Sequence, residues 1–165
     1  MFKISSVETE SQLRFALNVV SLISDLEFSV DVGKANSRQI TSDIDERISR
    51  KLEEKYQLIS GKEELRVYAG SNHIGEIDLA FSDNENGVIA YIEIEKTNKK
   101  TLWFDYVKLV SKIENDPTRI GIVVCPKNYA HRRGTWNLYQ DALQYRNHLA
   151  RLSCNDSFDR IAVIG

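Results

Sequence analysis

Ile120-Gly121-Ile122-Val123-Val124-Cys125 runs six residues without a polar side chain and is stopped by Pro126. An unbroken apolar strand offers no wet face, so other elements must cover it from both sides. The chain supplies that cover. Glu8 to Asp25 places Leu13, Leu17, Val20 and Ile23 at helical spacing, and Phe15, Ala16, Val19 and Leu22 widen the stripe beyond that of a surface helix. Asn36 and Ser37 offer N-caps for a second helix carrying Ile40, Ile44, Ile48, Leu52 and Tyr56, expected to run to about Leu58 and to end at Gly61. Leu102, Tyr106, Leu109, Val110 and Ile113 predict a third helix ending near Asn115-Asp116-Pro117. Leu138, Ala142, Tyr145 and Leu149 predict a fourth over roughly Thr135 to Arg151.

Around Phe28, Val30 and Val32 the chain reads as extended, up to Gly33. Between the second and third helices the period changes to two, in three short runs: Leu65 to Tyr68, Ile74 to Phe81 and Val88 to Ile94. The polar segment Ser82 to Gly87 makes the second and third of these a hairpin. Ile161 to Ile164 is a last apolar strand. The expectation is an α/β fold, a mixed sheet with helices on both faces, in a core order αβββαβ extended by an N-terminal helix and a C-terminal αβ unit.

With 165 residues and only 2 Pro and 8 Gly, the expected organisation is one globular domain spanning residues 1–165. The most apolar stretch, Phe15 to Ile23, is broken by Asn18 and Ser21, so no membrane span is expected. No basic, apolar and small-residue succession opens the chain. Cys125 and Cys154, without a Cys-x-x-Cys, suit reduced thiols in the cytoplasm. Net charge is −2, but residues 1–95 carry 10 Lys plus Arg against 18 Asp plus Glu, and residues 96–165 carry 12 against 6. The second half, at +6, is the part suited to an anionic partner.

The chemistry gathers on the hairpin, which reads Gly75-Glu76-Ile77-Asp78-Leu79 and then Tyr91-Ile92-Glu93-Ile94-Glu95-Lys96. Alternation puts Glu76 and Asp78 on one face, and likewise Glu93 and Glu95 on one face, with Asp78 opposite Tyr91 or Glu93. Two carboxylates about 5.5 Å apart repel by about 3 kcal/mol at an effective dielectric of about 20. A hard divalent cation such as Mg²⁺ relieves that repulsion. A half-exposed sheet face balanced by Lys96, Lys99 and Lys100 is the other reading of the same acids.

These residues resemble the PD-(D/E)XK nuclease superfamily, whose core places an Asp on its second strand and Glu-x-Lys on its third. The third position departs from that pattern, since Glu95 stands in place of Lys, as in restriction endonucleases of the BamHI type. The resemblance implies a restriction-endonuclease-like fold and Mg²⁺-dependent hydrolysis of DNA phosphodiester bonds, with Mn²⁺ a possible substitute. By the same resemblance Asp78, Glu93 and the carbonyl of Ile94 would hold metal, and Glu95 would orient or deprotonate a water or bind a second ion. It also implies an additional acid from the first core helix, for which Glu46, Glu53 and Glu54 are the candidates, each equally readable as a solvated helix residue. Lys96 points away from Glu95, leaving Lys99, Lys100 or Lys108 to fold back as the lysine. A catalytically silent member, a nuclease-fold module binding DNA or a protein, is the alternative function.

Lys127, Arg132 and Arg133 lie in the connection from Lys127 to Trp136, where they could position a nucleic-acid backbone together with Lys99 and Lys100. Trp103 is expected in the core. His73, His131 and His148 show no zinc-ligand spacing. Cutting both strands of a duplex suggests a homodimer. The wide apolar stripe of the first helix suits either that interface or burial between the sheet and the fourth helix.

Overall fold

The run from Ile120 to Cys125 alternates between two cores. Ile120, Ile122 and Val124 join one apolar cluster with the first helices, whereas Val123 and Cys125 join a second with the later ones. The computed structural model describes residues 9–24, 26, 37–96, 99–127, 129–131, 134–153 and 155–165. Phe28, Val30, Val32, Gly33 and the proposed cap Asn36 lie outside these.

The five-stranded sheet has the order β1-β4-β5-β6-β9, from β1 (Gln57–Leu58), β4 (Leu79–Asp83), β5 (Val88–Ile94), β6 (Arg119–Val124) and β9 (Ile161–Ile164). The first three pair antiparallel and the last three parallel, so the sheet is mixed. Helices α1 (Thr9–Ser24) and α2 (Ser37–Glu53) pack on one face. Helices α4 (Leu102–Ile113) and α5 (Leu138–Ser153), with a 3₁₀ turn at Asp156–Arg160, cover the other. This is the α/β layering that the apolar run demands. Among the described residues no helix is long and apolar enough to cross a membrane.

Several boundaries depart from the sequence expectation. Helix α2 ends at Glu53 rather than Leu58, because Tyr56 tucks its ring 4.3 Å from Phe15 and Gln57 and Leu58 pair with Ser82 and Phe81. Gly61, expected to end that helix, instead caps the short α3 (Lys62–Leu65) at its start. The expected strand Ile74–Phe81 is two strands in two sheets. Asn72–Glu76 (β3) pairs with Arg66–Ala69 (β2) as a separate hairpin, and the chain bends at Ile77-Asp78 to enter β4. The loop closing β4 to β5 turns at Gly87, whose φ of 64° suits a residue without Cβ. Thr135, expected in the fourth helix, lies in β8 (Gly134–Trp136), paired to β7 (Tyr129–His131). Helix α5 starts at Leu138 because the Asn137 side chain accepts the Gln140 N–H at 3.0 Å, the capping role that Asn fills well.

Helix α1 places Phe15, Ala16, Val19 and Ile23 in the core against α2, β5 and β6. It lies on the face opposite the fourth helix, so of the two expectations for its apolar stripe the one that buried it between the sheet and that helix does not hold, and Leu17 is left exposed. Trp103, also expected in the core, is 37% exposed and stacks 4.7 Å from Tyr145. Cys125 is buried, and burial pushes its thiol up to about 12, which leaves it unreactive. Cys154 lies outside the described residues.

At Gly121 α4 presses close on the sheet. A Cβ there would stand 3.0 Å from Ile161 Cγ1 and 3.3 Å from Leu109 Cβ. Gly121→Val is therefore expected to lower stability by about 1–3 kcal/mol through overpacking, read as a lower urea midpoint at unchanged slope. A midpoint equal to or above that of the parent would show that the layer can give way.

Candidate acidic site

The bend at Ile77-Asp78 aims the hairpin's first acid at the end of β5. The ladder runs Leu79 to Ile92, so the next step sets Asp78 beside Glu93, one of the two partners the sequence allowed. Asp78 Oδ2 accepts the Ile94 N–H at 2.8 Å, which fixes the exposed carboxylate against the strand. An extended residue directs its N–H and C=O to the same side, so the Ile94 carbonyl faces the same edge as Asp78. Glu93 lies on the α4 face with Tyr91, and Ile92 and Ile94 pack into the opposite core. Glu76 is not part of this row. It sits on the separate β3, where its exposed carboxylate lies 3.7 Å from Arg66.

Glu93 is 2% exposed, and α4 answers its charge. Lys108 Nζ donates to Glu93 Oε2 at 2.6 Å and to the Glu76 carbonyl at 3.1 Å, and stands 3.3 Å from Asp105 Oδ1. The cation absent from the third strand thus comes from the helix that follows it. Burial, with Asp78 adding to it, drives the Glu93 carboxyl well above its ordinary range, against the pull of Lys108. Lys108 rises above the usual ammonium value because Glu93 and Asp105 together outweigh its own desolvation.

Glu95 accepts a hydrogen bond from Thr101 at the start of α4. Lys96 points to the other face, as alternation requires, and pairs there with Asp45 of α2. Asp45 is the helix acid that sequence reasoning missed. Burial raises its pKa, and Asp78 adds to the rise, which places Asp45 in the same electrostatic neighbourhood as the hairpin acids. The three glutamates named for that role point to water. Glu46 pairs with Arg50, Glu53 accepts from Ser49 at 2.7 Å, and Glu54 pairs with Lys51 at 2.6 Å. A signal was present in the sequence. At 100° per residue Asp45 lies about 60° from the centre of the Ile44-Ile48-Leu52 stripe, and Glu46 about 160° from it.

Asp45, Asp78, Glu93, Glu95 and Asp105 set five carboxylates against the two ammonium groups of Lys96 and Lys108. Glu93 Oε1 and Asp45 Oδ1 are buried without a hydrogen-bond partner. Among the described residues no three acids, histidines or cysteines stand together in ligand geometry. Two of the oxygens are turned instead to Lys108 and to the Ile94 N–H. The donors are all hard oxygens, two of them unpartnered, and that set fits Mg²⁺ or Mn²⁺ rather than a thiophilic ion.

Burial pushes the Asp105 carboxyl up to about 6, against Lys108, with Glu95 and Asp78 raising it further. Between about pH 4 and 6 the folded state then holds a proton that the unfolded chain has released, so stability falls as pH rises through that window and levels above it. Asp105→Asn removes the slope. The stability of the parent relative to this variant is expected to drop by about 2 kcal/mol from pH 4 to 7 in urea unfolding. Parallel curves would mean that Asp105 keeps an ordinary pKa.

The basic residues disperse. Lys99 bonds Asp141 at 2.5 Å, Lys100 is exposed, and Lys127 lies 5.2 Å over the Tyr139 ring. Arg132 and Arg133 lie outside the described residues. His73 meets the Tyr68 ring edge-on, and His148 meets Trp103 in the same way. Comparison of the chain with family models, with curated proteins and with solved structures finds no match in any of the three.

Proposed function

We propose that the chain is a metal-dependent endodeoxyribonuclease of the PD-(D/E)XK kind, with Asp78, Glu93 and Glu95 as its acidic residues. The observation that carries the reading is the register that sets Asp78 beside a buried Glu93, with Lys108 at 2.6 Å. Asp78, the free oxygen of Glu93 and the Ile94 carbonyl would hold Mg²⁺, with Mn²⁺ as substitute, and Asp45 would extend that set from α2. A bound ion lowers the pKa of a water and stabilises charge growing on a scissile phosphate. Lys108 supplies a fixed positive charge where the phosphate becomes more negative. Glu95, tethered by Thr101, orients the attacking water.

Cutting two strands still calls for two copies or two visits. Of the apolar stripe of α1, Phe15, Ala16, Val19 and Ile23 are buried within the chain, Leu13, Val20 and Leu22 are half-buried and Leu17 is exposed, so little of it is left for a dimer face. A second reading, a nuclease-fold module without catalysis, draws on the same Lys108, which already neutralises Glu93 with no cation needed.

Supercoiled plasmid incubated with the full chain in Mg²⁺ or in EDTA separates the two. Cleavage in Mg²⁺ alone is the expected result. A melting temperature that rises with Mg²⁺ in proportion to RT ln(1 + [L]/Kd) should accompany it. Intact plasmid together with a melting temperature indifferent to millimolar Mg²⁺ and Mn²⁺ would leave the binding module.

A further inference from the structure

Strand β1 is only two residues long, so the hairpin of β4 and β5 runs on past it at the edge of the sheet. A cavity of about 760 Å³ opens there, walled by helix α1, by the segment 55–57 and by the turn that follows β4. Asp78 precedes β4 and Asp83 ends it, about 17 Å apart at roughly 3.4 Å per residue, so the cavity stands at the other end of the strand from the acidic site.

Two cations line this cavity. Arg14 projects from α1 one helical turn before Asn18, and Lys55 lies 5.7 Å from the centre of the Tyr56 ring. Among the described residues neither Arg14 nor Lys55 pairs with a carboxylate. The Asp83 carboxylate is engaged by its own turn: Oδ1 accepts the N–H of Glu85 at 3.1 Å and of Asn86 at 3.2 Å, and Oδ2 accepts from Asn86 Nδ2 at 2.8 Å. Glu85 is exposed on that turn. Tyr56 is 6% exposed, and its hydroxyl is buried without a hydrogen-bond partner. Burial raises its pKa above the usual phenol value, Asn18 draws it down and Asp83 adds to the rise, which sets the hydroxyl between side chains from two walls of the cavity. A buried hydroxyl left unpaired costs free energy that a ligand oxygen would recover.

We propose that this cavity binds a small phosphate monoester with a hydroxylated body, a molecule of the sugar-phosphate class. A guanidinium fork and an ammonium, brought from two different elements, match a phosphate dianion. The carboxamides of Asn18, Gln57 and Asn84 set donors beside acceptors, which suits hydroxyls that both give and take a hydrogen bond. Apart from the Tyr56 ring no aromatic or aliphatic residue lines the cavity, so it offers little to a nucleobase or a lipid tail. Asn84 Nδ2 donates to Gln57 Oε1 at 2.7 Å and ties the turn to β1, holding two of the walls in place before a ligand arrives. The site does not depend on the nuclease reading.

The test adds ribose 5-phosphate, ribose or inorganic phosphate to the full chain at constant ionic strength and reads the melting temperature. EDTA is present throughout, so that no divalent ion carries phosphate to the acidic residues. The melting temperature is expected to rise with ribose 5-phosphate at millimolar concentration, to rise less with inorganic phosphate and to stay unchanged with ribose. Arg14→Gln with Lys55→Gln should weaken binding by about tenfold or more for each charge removed. Both residues are exposed, so this variant should keep the ligand-free melting temperature of the parent. Tyr56→Phe should weaken binding by about 2- to 10-fold and leave the ligand-free melting temperature unchanged or raised, because the hydroxyl it removes has no partner. No rise with ribose 5-phosphate, an equal rise with ribose or with inorganic phosphate, or a rise untouched by the Arg14 and Lys55 variant would overturn the proposal. A Tyr56→Phe variant that melts lower at unchanged affinity would do the same, by giving the hydroxyl a role in the fold alone. So would a short DNA duplex that raises the melting temperature through Arg14 and Lys55 where ribose 5-phosphate does not. None of these readouts uses plasmid cleavage, so they stand whichever way the acidic site is decided.

Discussion

Asp78→Asn is expected to reduce Mg²⁺-dependent plasmid cleavage by about a thousandfold or more while leaving the melting temperature unchanged or raised. Loss of a metal-holding carboxylate removes several kcal/mol of transition-state charge stabilisation, and each 1.36 kcal/mol is roughly tenfold in rate. Stability should move the other way. Asp78 is exposed, raises the pKa of both Glu93 and Asp45, and makes its hydrogen bond through an oxygen that Asn retains. Neutralising it relieves repulsion without leaving a cavity or an orphaned donor. Activity lost together with stability would mean that Asp78 is a structural acid, and activity retained would place the chemistry elsewhere.

Lys108→Met should be the most destabilising single change near the site, at about 3–5 kcal/mol near pH 8, because it leaves Glu93 buried beside Asp78 and Asp105 without a cation. The sign with pH follows from Glu93. With its folded pKa raised, the folded state takes up a proton at low pH that the unfolded chain does not hold, so the deficit shrinks in acid and grows as pH rises past the ordinary glutamate range. Urea unfolding at pH 5 and pH 8 reads both quantities. The pair Glu93→Gln with Lys108→Met should recover most of the loss, since the buried Glu93 charge is then gone along with its cation. A loss under about 1 kcal/mol at pH 8 would place this pair among exposed ones, where such values are usual.

The hairpin, the third helix and the last strand were legible because their signals are local. Val88–Ile94, Leu102–Ile113 and Ile161–Ile164 stand where period and turn chemistry put them. The misplaced elements are those decided by partners distant in sequence. Gln57 and Leu58 continue a helical pattern, yet pairing with Ser82 and Phe81 makes them a strand. Ile74 to Phe81 reads as one alternating run, and no local feature reports that its halves pair with different neighbours. At the acidic site, alternation set Glu93 and Glu95 on one face of β5, and the hairpin register set Asp78 beside Glu93. Asp45 and Lys108 arrive from helices whose packing side depends on which face of the sheet each covers, and strand periodicity carries nothing about that choice.

The separate pairing of β2 with β3 has a consequence for cooperativity. Among the described residues no ladder joins this hairpin to the five-stranded sheet, and it is held by the burial of Val67, by the Ile77 N–H bonded to the Leu65 carbonyl, and by Lys108 on the Glu76 carbonyl. It can therefore open as a unit at less than the global unfolding cost, and its amides will exchange with solvent hydrogen earlier than those of β5 and β6. Each opening withdraws one of the acceptors of Lys108, so the rate at which this hairpin exchanges sets how often the ammonium is held by carboxylates alone.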